Sequence, residues 1–111
     1  MKVVKARINW IYKDRIPPVL NEEDRIKIRS YKPIVVFDGQ YKTTWYENHV
    51  WSSIIFNIEI NGLVSISTLT YLSDNAPEQF LTKGKCFTLY EGYTKVAYGE
   101  IVDDETCYQK K

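Results

Sequence analysis

Apolar residues in this chain recur at every second position over short runs, and turn-forming pairs cut the runs apart. A period of two is the mark of a half-buried strand, with one face toward a core, and it does not fit an amphipathic helix. From the start, Val4, Ala6, Ile8, Trp10 and Tyr12 fall on one face, with Lys5, Arg7 and Asn9 on the other. From Trp51 the alternation returns, with Ile54, Phe56, Ile58 and Ile60 on one face and Ser53, Asn57 and Glu59 opposite. Ile34-Val35-Val36-Phe37 is unbroken, as in a strand buried on both faces of a closed barrel. Gln40 to Trp45, Leu63 to Leu72, Lys85 to Tyr90 and Val96 to Val102 have strand composition as well. The punctuation is Asp38-Gly39, Asn61-Gly62 (both of whose residues tolerate positive φ) and Glu91-Gly92-Tyr93-Thr94-Lys95. About seven short strands with turns between them define an all-β sandwich or barrel.

The remaining segments add little regular structure. The adjacent prolines Pro17 and Pro18 lack the N–H of a central strand, so Lys13 to Asp24 reads as a loop or crossing segment. Within it, Asn21-Glu22-Glu23-Asp24 reads as one helical turn at most, and as a solvated acidic loop. Ser73 to Leu81 is the best helix candidate and offers one or two turns. With 111 residues the chain suits a single domain, with its core at about 3–102 and a polar tail from 103 to 111. No apolar run approaches the roughly 20 residues of a membrane span. Met1-Lys2-Val3-Val4-Lys5 has no apolar core like that of a secretory signal, so the expected location is the cytoplasm. Cys86 and Cys107 are then expected to be free thiols, with Cys86 a small buried hydrophobe inside its strand.

Catalytic chemistry finds little support. His49 is the single histidine, and with Cys86, Cys107 and carboxylates it forms no recognised metal-ligand spacing. Glu59, Glu91 and Glu100 are the carboxylates nearest strands, and alternation sends them to a solvent face. Glu47 and His49 stand two apart in a polar break, which reads as an exposed loop. No enzyme, metal or cofactor is therefore expected.

Aromatic residues are more informative, with nine Tyr and three Trp in the chain. Trp45, Tyr46 and Trp51 cluster about the polar break, and Tyr90, Tyr93 and Tyr98 surround the last hairpin. Exposed aromatics of this kind anchor protein interfaces, or stack on nucleic-acid bases when lysines such as Lys42 and Lys95 are near. Lys and Arg total 15 against 14 Asp and Glu, and that near-neutral balance favours a protein over a polyanion.

The run Phe87-Thr88-Leu89-Tyr90-Glu91-Gly92-Tyr93-Thr94-Lys95-Val96-Ala97-Tyr98-Gly99-Glu100-Ile101 resembles the closing motif of the third, C-terminal domain of elongation factor Tu. Tyr31-Lys32-Pro33-Ile34-Val35-Val36-Phe37 resembles the tyrosine-arginine-proline strand of that domain, and Ala6-Arg7-Ile8 with the Lys13 to Asp24 loop is similar to its opening strand and loop. Order and spacing agree over roughly residues 4 to 102. The resemblance implies an antiparallel β-barrel of six or seven strands. GTP hydrolysis is not expected to come with it, because the chain has no Gly-x-x-x-x-Gly-Lys-Ser/Thr loop. In the family this domain touches the T stem of aminoacyl-tRNA; its hairpin glutamate matches Glu91, and a threonine matches Thr43. Ile34 replaces a family glutamine and Tyr90 a family arginine, which weighs against tRNA.

The expectation is a stand-alone, non-catalytic protein-binding barrel. Its surface would be Tyr90, Glu91, Tyr93, Thr94 and Lys95, with Trp45, Tyr46 and Thr43. Binding of tRNA-like RNA, or neutralisation of a toxin as an immunity protein, are the alternatives.

Overall fold

The computed structural model describes residues 2–20, 31–39 and 51–105. They form strands β1 (Val4–Trp10), β2 (Ile34–Phe37), β3 (Trp51–Asn61), β4 (Val64–Tyr71), β5 (Cys86–Glu91) and β6 (Thr94–Asp103). The strands close into a barrel in the order β1-β4-β3-β2-β5-β6, with every neighbouring pair antiparallel. Closure pairs both sides of the sheet and so removes exposed edge strands. The expected strand at Gln40 to Trp45 and the helical turn at Asn21 to Asp24 lie outside the described residues.

Two hairpins depend on glycine at the same turn position. In β3–β4, Asn61 pairs with Val64, so the two-residue loop is Gly62-Leu63, and Gly62 has φ +66°. In β5–β6, Glu91 pairs with Thr94, leaving Gly92-Tyr93 as the loop with Gly92 at +65°. Glycine at the first central position is the preference of a type II′ turn, whose twist matches its flanking strands. The turns are thus one residue later, or three residues shorter, than the Asn61-Gly62 and Glu91–Lys95 readings.

β1 follows its alternation: Val4, Ala6, Ile8 and Trp10 are buried, while Arg7 and Asn9 are exposed. Phe37 is the hub of the aromatic core, with ring centroids 5.4 Å from Phe87 and 5.7 Å from Phe80. Phe87 also faces Gly99 across β5–β6, and a Cβ placed on Gly99 would stand 2.2 Å from the ring. The aromatic ring thus fills the space that a side chain at position 99 would take.

β3 and β4 depart from the simple pattern. Ser53, Ile55 and Asn57 are the buried row of β3, and Ile54 and Phe56 face outward, half-buried. A bulge between Asn57 and Glu59 then breaks the period, so that Ile60 pairs with Ser65 on the inner row yet stays exposed at the rim. The apparently continuous row Ile54 to Ile60 is two rows, joined by an inserted residue. Inside, small polar residues make room for Trp10 and satisfy it. Its indole N–H donates to Ser65 Oγ at 2.9 Å, and Ser65 lies 2.9 Å from Ser67 Oγ. Ser67 donates to Asn57 Oδ1 at 2.5 Å, and Asn57 Nδ2 donates to the Pro17 carbonyl at 2.7 Å. This chain of bonds ties the proline segment to the barrel interior.

Other expectations are corrected in the same way. Tyr12 lies beyond the end of β1 and is 46% exposed, not inward. Cys86 is exposed, because at the first position of β5 it alternates outward ahead of the buried Phe87. Ile34 and Val36 are half-buried, so β2 is not covered fully on both faces. Ser73 to Leu81 yields only a 3-10 turn at Glu78–Phe80, consistent with Pro77 and the short apolar stripe. Cys107 and His49 lie outside the described residues.

Candidate interaction surface

The hairpin that carried the sequence expectation forms one end of the barrel. Tyr93 occupies the second position of its two-residue loop and is 81% exposed. Thr94 and Lys95 are exposed beside it, and Tyr90 is half-buried. The Lys95 ammonium lies 5.6 Å from the centroid of the Tyr98 ring, a cation–π contact on the outer face of β6. A side chain at a strand-pinned tip cannot retreat into the core, because the turn fixes its direction.

Glu91 has an internal task. One carboxylate oxygen accepts from Arg15 Nη1 and the other accepts from the Tyr31 hydroxyl at 2.5 Å. Tyr31 also packs its ring 5.9 Å from that of Trp10. Burial pushes the Tyr31 phenol far above its ordinary pKa; the hydrogen bond to Glu91 and then the Glu91 charge add to this, and the Arg15 charge opposes it. Glu91 therefore joins three segments: the last hairpin, the segment after β1 and the approach to β2.

The same rim carries apolar side chains that sequence reasoning missed. The Trp10 N–H donates to the Leu63 carbonyl at 2.7 Å, and the Ile11 N–H to the Val96 carbonyl at 2.9 Å. The end of β1 is thus held between the β3–β4 tip and the start of β6. Ile11, Tyr12, Leu63 and Tyr93, all exposed, surround this end. Leu63 was legible only by placing the turn at Gly62-Leu63, and Tyr12 only by knowing where β1 stops.

Thr43, Trp45 and Tyr46 lie outside the described residues. Trp51, grouped with them in sequence, is half-buried and packs on Tyr71 with centroids 6.4 Å apart. Glu59 is exposed, and Glu100 is in an ion pair with Arg7 at 2.7 Å. Among the described residues no three His, Cys, Asp or Glu side chains gather as a metal site would require. Comparison with protein-family models, with curated proteins and with solved structures gives no match.

Proposed function

We propose that this chain is a non-catalytic protein-binding module built on a barrel of the elongation factor Tu third-domain type. Its recognition surface is the β5–β6 tip with the neighbouring end of β1. The observation that supports this most is the exposure of Tyr93 at a fixed turn, on the end of the barrel that also carries the exposed Ile11, Tyr12 and Leu63. A Tyr carries large contact area with few rotatable bonds, so its ordering costs little on binding, and such residues dominate interface energetics. Within the surface, Glu91 acts as a support: its ties to Arg15 and Tyr31 hold the tip against the rest of the rim.

Affinity capture from lysate, with and without ribonuclease, tests the reading, with Tyr93→Ala run in parallel. A protein retained after ribonuclease and lost with Tyr93→Ala supports it. Retention of tRNA or other RNA that disappears on ribonuclease treatment would replace it with RNA binding.

A further inference from the structure

A second feature lies on the outer face of the barrel, away from the apolar rim. Two cross-strand rows run side by side over β1, β6 and β5: Asn9, Tyr98 and Thr88 in one, Arg7, Glu100 and Cys86 in the other. Between them is an open groove of about 430 Å³, with Gly99 among its lining residues and Asp38 beside Cys86. That volume falls at the lower end of small-ligand sites and accommodates one long side chain.

Its chemistry is selective. The lining holds two carboxylates, Asp38 and Glu100, and one guanidinium, Arg7; Asp38 stands across β5 from the other two. Arg7 engages one oxygen of Glu100 through Nη2. Among the described residues Asp38 makes no ion pair. The opposite wall is the ring of Tyr98, 47% exposed, which already attracts the Lys95 ammonium. An aromatic face beside carboxylates suits a planar cation, because guanidinium stacks on the ring and donates in its own plane to the acids. An ammonium lacks the planar fork, and a neutral urea lacks the charge.

We infer that this groove receives an arginine side chain of the protein partner, stacked on Tyr98 and hydrogen-bonded to Asp38 and Glu100. The inference rests on the binding-module reading and adds the chemistry of the partner's anchor. Arg7 and Lys95 are the cations an incoming arginine must displace or tolerate, so they set its affinity from the opposite direction to the acids.

The test is a titration followed by the amide NMR signals of Thr88, Tyr98 and Gly99, with N-acetyl-arginine amide as the probe. The N-acetyl-citrulline amide is its neutral isostere. Saturable shifts with the arginine compound are expected, with binding weaker by about five-fold or more for citrulline. Asp38→Asn and Tyr98→Ala weaken the arginine compound, and Lys95→Ala strengthens it. Equal binding of the two compounds, or no saturable shift at these amides, overturns the assignment. Free arginine binding more tightly than the blocked residue also overturns it, in favour of a small metabolite. None of these results depends on the Tyr93→Ala capture, so failure of the groove and failure of the rim are read separately.

Discussion

Gly99 shows how one missing side chain organises its neighbours. Phe87 fills the space over it, and the ring then packs on Phe37. Gly99→Ala forces a contact that a well-packed ring cannot relieve, and is expected to destabilise the fold by about 1–3 kcal/mol in urea denaturation. Combining it with Phe87→Leu should cost less than the sum of the two changes, because the smaller side chain vacates the clash. Tyr31 carries a different signature. Its raised pKa means that the folded protein keeps the phenol neutral where the unfolded chain ionises, above about pH 10. The stability it contributes is complete below that pH and declines as pH rises beyond it. Tyr31→Phe should remove this alkaline decline, while losing about 1 kcal/mol at neutral pH with the hydrogen bond to Glu91. Denaturation curves between pH 7 and 11 separate the two effects.

Among the elements, β1 and β3 show what a sequence can and cannot reveal. β1 was legible residue by residue from Val4 to Trp10, where its period is unbroken and its outward positions are charged or polar, but its end was not, and Tyr12 falls outside it. The existence of β3 and its hairpin was legible too, yet its faces were not. A bulge leaves no local signature in a run of isoleucines, and the requirement for Ser65, Ser67 and Asn57 inside arises from Trp10, which is far away in sequence. Only the closed barrel brings the indole N–H and the serine row together. The polar chain also yields a prediction. Asn57→Ala strands the partners of both its oxygen and its nitrogen, Ser67 and the Pro17 carbonyl, in a partly or fully buried setting. The expected loss is about 1–3 kcal/mol, accompanied by faster exchange of the Arg15 and Ile16 amides, which donate to the Tyr12 and Lys13 carbonyls. Full protection there in the variant would mean that Arg15–Glu91 alone holds the segment. The tip of the last hairpin was legible as a turn with an outlying tyrosine, whereas the binding of Glu91 by Arg15 and Tyr31 depended on three segments meeting at one rim.

At the scale of the whole molecule, closure and surface divide the labour. The barrel removes edges, buries its aromatic hub and leaves Ile11, Tyr12, Leu63 and Tyr93 exposed at one rim. Exposed residues there contribute little to folding, so Tyr93→Ala is expected to change unfolding free energy by less than about 0.5 kcal/mol. The same substitution is expected to weaken a protein partner by on the order of 2 kcal/mol. That pairing of a silent effect on folding with a large effect on binding distinguishes a recognition residue from a structural one. The most direct measurement is therefore a calorimetric titration of the captured partner against the wild-type chain and Tyr93→Ala, with the stability of both determined in the same buffer. The expected result is a loss of roughly thirty-fold in affinity at unchanged stability. Equal affinity for the two proteins would contradict it and move recognition away from the β5–β6 tip.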